Sequence, residues 1–261
     1  IVKGSNGDAS IFYEIAKSDG KGMRDVTIKD ARKVGALPSV NEILSVEHNH
    51  QLNEWIVNEA LAFAYKQGFE DRGIYNEDQG FGIPEYFEQC YGMVRSGWKE
   101  HSEKAANRGS ELHDLVIEKS LRDGLQLTDN VAIAILETIK KDFAGKTVAF
   151  VEKPVGINKL GYAGRPDIGL QYEDGLEIND IKTTKRKHEP YRKELCQVVA
   201  YRRIFDALGI KTKPSRLLYF SSETGEFFGA HTVEEERIPE MEFQACLSLW
   251  TILKGYDPRH V

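Results

Sequence analysis

Apolar positions along the chain change their period near residue 145. Before it they recur every three or four residues. In QLNEWIVNEALAFAYKQG, over 51–68, Leu52, Trp55, Ile56, Ala60 and Phe63 hold helical spacing and Gly68 suits a C-cap. Pro38 opens a helix in PSVNEILSV. A helical region runs from about Glu85 to Ser120, with a break near Arg108-Gly109. DNVAIAILETIKKDF, over 129–143, predicts another helix capped by Thr128 or Asp129. The start of the chain is mixed: IFYEIA and RDVTI predict short strands around the turn SDGKG, and NEDQGFGIP reads as loop.

After residue 145, KTVAFVEKPVGI, YAGRPDIGLQY and LEINDIKT predict three consecutive strands. Asp174-Gly175 in YEDG is a hairpin signal between the second and third. A helix follows from Pro190 to Leu208, stopped by Gly209, and SRLLYFSS and EFFGAHTV predict a second hairpin around ETG. An amphipathic helix closes the chain over about 234–254. The pattern predicts a mainly helical region over 1–145 and an α/β region over 146–261, joined in one compact unit.

Composition narrows this picture. The chain is 41% hydrophobic and 29% charged, with no apolar run of the roughly 20 residues that a membrane helix needs. No secretory leader is visible, so the expectation is a soluble, cytoplasmic protein without a membrane partner. Cys90, Cys196 and Cys246 are scattered and form no CxxC pair, which fits reduced thiols and not a cysteine-held metal. The net charge of −6 argues against a broadly basic nucleic-acid coat protein, yet leaves room for a local basic groove.

The stretch LEINDIKTTK carries the candidate chemistry. Leu176, Ile178 and Ile181 mark a core strand, yet Asp180 and Lys182 sit within it, and buried charges are costly unless paired or bound to an ion. Strand side chains alternate, so Asp180 and Lys182 share one face. A two-residue turn at Asp174-Gly175 sets Gly169 opposite Asp180, leaving space there, and Asp167 opposite Lys182. A four-residue turn sets Asp167 opposite Asp180, again on one face; a three-residue loop breaks the convergence unless a bulge restores it. Two neighbouring carboxylates repel, a divalent cation resolves the conflict, and a lysine beside them can serve a water or stabilise negative charge. These are parts for metal-assisted hydrolysis of a phosphodiester, with Lys182 a catalytic neighbour of Asp180 and not its salt-bridge partner.

Two helices carry supporting pairs. Gln197 and Tyr201 of QVVAY are one turn apart on one face, and so are Gly109 and His113 of RGSELHDLV. GRPDIG…NDIK resembles the PD-(D/E)XK nuclease core. The GSELH and QVVAY helices resemble its RecB-like exonuclease branch, and ALPSVNEIL is similar to segments of phage and bacterial exonucleases of that branch. The resemblance covers about residues 37–230.

It implies a restriction-endonuclease-like α/β core, a mixed central sheet flanked by helices and preceded by the mainly helical region. It implies that Asp167 and Asp180 bind Mg²⁺ or Mn²⁺ with the Ile181 backbone carbonyl, and that His113 is a further ligand or a ligand of a second metal. Lys182 would serve the attacking water, so that Asp167, Asp180 and Lys182 form the catalytic set. Gln197 and Tyr201 would position the nucleic-acid backbone, and Glu152 would stand behind the direct ligands. Branch members with an iron–sulfur cluster use four cysteines, so none is expected here. No GxxxxGK[ST] phosphate loop is found, so no nucleotide cofactor is expected and any unwinding falls to a helicase or recombination partner. A bacterial or phage-encoded protein of recombination, repair or replication fits the resemblance.

KTTKRKHEPYRKEL concentrates six lysines and arginines from Lys182 to Lys193, Lys185, Arg186 and Lys187 among them, running directly off the candidate strand. Their position favours phosphate contact over a plain solvated loop, and Tyr191 or an aromatic of the helical half would stack on a base of a single strand. The expected substrate is DNA with a free, single-stranded end. A structure-selective endonuclease and a non-catalytic DNA-binding module remain alternatives.

Overall fold

A computed structural model describes residues 2–3, 10–11, 14–16, 23–25, 28–46 and 107–260. The chain divides into two compact units, one formed by residues 1–47 with 111–261 and the other by 48–110. The helix expected over 51–68, the loop NEDQGFGIP, residues 85–106 of the next helical region and Cys90 lie outside the described residues.

Near the N-terminus, β1 (Val2–Lys3) pairs with β2 (Ser10–Ile11), and β3 (Glu14–Ala16) pairs antiparallel with β4 (Met23–Asp25). The second pair falls on the two short strands that the sequence predicts. Helix α1 spans Ile28–Val34 and α2 spans Val40–Leu44. Ser39 caps α2, accepting from the Glu42 amide at 3.1 Å, so Pro38 stands just outside the helix. Residues 107–113 are α-helical and continue as a π-helix over Asp114–Arg122; the two together are α3. Among the described residues, the helix runs unbroken through Arg108-Gly109, where the sequence predicts a break nearby. A helical glycine costs about 1 kcal/mol, and burying Leu112, Val116 and Ile117 outweighs that. Helix α4 (Asn130–Asp142) starts at Asp129, whose carboxylate accepts from the Ala132 amide at 2.9 Å.

Two of the predicted strands each divide. The first becomes β5 (Thr147–Val151) and β6 (Val155–Ile157); the second becomes β7 (Tyr162–Gly164) and β8 (Ile168–Tyr172). Pro154 and Pro166 lack the amide that a ladder needs, and each sits in a break. β6 and β7 pair with each other, apart from the main sheet. β9 (Gly175–Thr184), β10 (Arg216–Ser221) and β11 (Phe227–Thr232) complete a five-stranded sheet in the order β11-β10-β9-β8-β5. It is mixed, because β9 and β10 run parallel and the other neighbours antiparallel. Helix α5 (Arg192–Ala207) makes the crossover between β9 and β10, and α6 (Arg237–Lys254) ends at Gly255 in the left-handed conformation that glycine favours. The architecture is α/β.

The central strands of the sheet are covered on both faces. Leu176 and Ile178 pack against α2, α5 and α6 through Ile43, Ala200, Phe205, Phe243 and Trp250. Ile168, Leu170, Ile181 and Leu218 pack against α3 and α4 through Leu112, Val116, Ile135 and Ile139. Helices α3 and α4 therefore belong to the sheet's own core. A division near residue 145 would cut through that core, and the sequence pattern showed the helices without showing what they cover.

The β8–β9 turn is also shifted. Tyr172 pairs with Gly175, so Glu173 and Asp174 form the two-residue turn. Gly175 opens β9, where the Lys211 carbonyl, 2.9 Å from where a Cβ would stand, leaves no room for a side chain.

Candidate metal centre

The shifted turn sets the register. Gly169 pairs with Ile178 and Ile168 with Asn179, so Asp167, one residue before β8, continues the ladder opposite Asp180. The convergence expected from a four-residue turn thus arises from a two-residue turn centred one position earlier. The register moves by two residues, which keeps the same face. Gly169 is not beside Asp180, and its missing side chain makes room for Phe150, whose ring lies 2.2 Å from the ideal Cβ.

Asp167 is buried and held from both sides. Its Oδ2 accepts from the Ile181 amide at 2.7 Å, and its carbonyl accepts from the Glu152 amide at 2.7 Å. Ile181 thus contributes an amide that fixes Asp167. Glu152 follows the end of β5 with a φ of 50°, the one non-glycine residue with positive φ among the described residues. That conformation costs of order 1 kcal/mol and here turns the carboxylate inward, where its side chain is 1% exposed. From α3, at the point where winding changes to π, His113 Nε2 lies 3.1 Å from both Glu152 Oε1 and Asp167 Oδ1. The three ligand atoms all fall within 4.8 Å of one another.

Burial by itself lowers the His113 pKa, but hydrogen bonds to Asp167 and Glu152 and the charges of both outweigh it and push the value up to about 10. With no cation bound, an imidazolium holds the two carboxylates together.

Asp180 is not part of this triad. Its side chain is 2% exposed, and Oδ2 lies 2.7 Å from Lys182 Nζ. The two are an ion pair, contrary to the reading of Lys182 as a neighbour only. Alternation along β9 explains this: residues 180 and 182 point to the same face, two positions apart. Burial pushes the Asp180 pKa up to about 6, with Lys182 opposing and Asp167 adding to the rise. For Lys182, burial favours the neutral amine, but Asp180 and Asp167 outweigh it and keep the ammonium charged.

Gln197 and Tyr201 form a chain inward from Lys182. Lys182 Nζ donates to Gln197 Oε1 at 2.8 Å, and Gln197 Nε2 donates to Tyr201 Oη at 3.0 Å. Both side chains are buried, so they stand behind the lysine and not on an open nucleic-acid surface. Gly164 makes room for Tyr201, whose ring lies 2.3 Å from the ideal Cβ of the glycine. Lys185, Arg186 and Lys187 are exposed in the loop after β9, with Lys185 3.8 Å from Glu223.

Two residues escaped the sequence reading. Arg165 Nε stands 2.5 Å from Glu152 Oε2, and its guanidinium reaches Glu118 Oε1 at 3.2 Å. Its place next to Pro166-Asp167 was the available signal. Glu118 lies five residues after His113, a spacing that shares a face only in π winding. Glu152 Oε2 and Asp180 Oδ2 are buried without a partner in hydrogen-bond geometry, despite these close cations.

No family model matches the chain, and no curated protein matches it. Among solved structures it is similar to the crystal structure of SSO0001, at 15% identity over 63% of this chain and 67% of that one, with a TM-score of 0.30. A likeness of that degree carries no argument. No helix among the described residues is long and apolar enough to cross a membrane.

Proposed function

We propose that the chain is a divalent-metal-dependent nuclease with a restriction-endonuclease-like core, hydrolysing DNA phosphodiester bonds as an exonuclease at free ends. The observation that carries this is the meeting of His113, Glu152 and Asp167 at 3.1 Å contacts, beside the Asp180–Lys182 pair on the next strand. The motif resemblance of GRPDIG…NDIK adds the phosphodiester substrate.

The donors fit a cation. One imidazole nitrogen and two buried carboxylates suit Mn²⁺, and Mg²⁺ through the oxygens. Glu152 presents Oε1 to His113, while Arg165 pairs with its other oxygen, Oε2. His113, Glu152 and Asp167 would hold the ion, which when bound supplies Lewis-acid polarisation and an acidified water. The remaining work falls to the chain. Lys182, kept as an ammonium, stabilises charge developing on a phosphate oxygen and does not act as a base. Asp180 and Gln197 fix its aim from two sides, and Tyr201 fixes Gln197.

The test is hydrolysis of end-labelled single- and double-stranded DNA of both polarities, with Mg²⁺ or Mn²⁺ and with chelator. Metal-dependent release of nucleotides, lost in Asp167→Asn, is expected. Cleavage of circular single strands would overturn the exonuclease assignment. Activity retained in Asp167→Asn would overturn the site.

A further inference from the structure

We propose that Tyr191 is the exposed end of a stacking platform for the bases of single-stranded nucleic acid, feeding the strand toward Lys182. The proposal rests on the nuclease reading for its destination and on separate observations for the platform.

The platform starts at the candidate site. Tyr219 pairs with Lys182 in the β9–β10 ladder, so the two point to the same face of the sheet. His188 stands edge-on to the Tyr219 ring at 5.2 Å, and Tyr191 lies against His188 at 4.5 Å with planes 30° apart. The three rings run outward from a buried tyrosine to one that is 56% exposed. What sets Tyr191 apart is that its position is fixed by hydrogen bonds and ring contacts. The Tyr191 amide donates to Glu194 Oε2 at 3.0 Å, and the Tyr219 hydroxyl donates to the same oxygen at 2.6 Å. His188 is held in turn, its Nδ1 lying 2.7 Å from the Glu189 carbonyl oxygen. The ring is therefore presented by a constrained backbone, at little entropic cost on binding.

The surroundings select the ligand. Lys185, Arg186 and Lys187 lie exposed in the same loop, between β9 and the rings. Cations that take phosphates next to a π-face that takes bases suit a single strand, whose bases are unstacked from a partner. A duplex keeps its bases inside and offers this ring nothing to stack on. The surface is sequence-tolerant, because every base has a π-face.

The test is binding without turnover: fluorescence anisotropy of labelled single-stranded DNA, single-stranded RNA and blunt duplex DNA with the full chain in chelator. Tyr191→Ala should weaken single-strand binding about tenfold, and Tyr191→Phe should restore it, because only the ring is needed. Arg186→Ala and Lys187→Ala should each lower the salt dependence of binding, by about 0.7 in the log–log slope per lost phosphate contact. Far-ultraviolet circular dichroism checks folding of each variant; the capping contact of Tyr191 is main-chain and survives substitution. Equal binding by Tyr191→Ala and wild type, or an equal loss on the blunt duplex, overturns the platform. The DNA and RNA arms decide which strand it serves. A platform confirmed while Asp167→Asn still cleaves would overturn the metal centre alone; the reverse result would overturn the platform alone.

Discussion

Glu152 and Asp167 are joined twice: the Glu152 amide donates to the Asp167 carbonyl oxygen at 2.7 Å, and both carboxylates share His113 Nε2 at 3.1 Å. The main-chain bond sets the spacing of the side chains. Glu152→Gln should keep the fold and lower Mn²⁺ affinity by about 10- to 100-fold, read by electron paramagnetic resonance titration. An unchanged affinity would remove Glu152 from the ligand set.

The positive φ at Glu152 makes a separate stability prediction. Glu152→Gly should be more stable than Glu152→Ala by about 1 kcal/mol in denaturant melts, because glycine adopts that conformation without the Cβ penalty. Equal stability of the two would mean that the backbone there is relaxed.

His113 carries a pH signature. Its folded pKa, about 10, lies above its ordinary value of 6.5. The fold therefore favours the protonated form; the stabilisation is full below the ordinary value and is lost as pH rises through about 10. In chelator, the thermal midpoint of wild type should fall over that range, and His113→Gln should fall less. Cation binding displaces the proton, so titration calorimetry in two buffers of different ionisation enthalpy should report release of about one proton near pH 8.

Lys182→Met separates charge stabilisation from metal binding. The expected loss is about 10²- to 10³-fold in kcat. Cation affinity should hold or rise, since a positive neighbour has been removed. A fall in Mn²⁺ affinity would contradict the placement of Lys182 beside, and not within, the donor set.

Gly164→Ala and Gly169→Ala test the packing behind the site. Each new Cβ would meet a ring, that of Tyr201 at 2.3 Å and of Phe150 at 2.2 Å. Losses of about 1–3 kcal/mol are expected for both. Only Gly164→Ala should also lower activity at permissive temperature, because moving Tyr201 moves Gln197 and then Lys182.

By itself the sequence determined which residues could form elements and which strand carried charge. Period-two and helical spacing are local properties, so β9, α5, α6 and the Asp129 cap of α4 were legible. So was the pairing of Gln197 with Tyr201, because one helical turn joins them. The Asp174-Gly175 turn was misplaced by one residue, since the contact that needs Gly175 comes from Lys211, far along the chain. Tertiary structure alone decided that Glu152 meets His113 and Asp167. Glu152 reaches His113 only because β5 lies beside β8 and the backbone turns at its end; Arg165 and Glu118 meet only because α3 winds as a π-helix over that edge. Spacing along one strand or helix is written in local sequence, whereas contacts between elements depend on register and winding that the whole core selects.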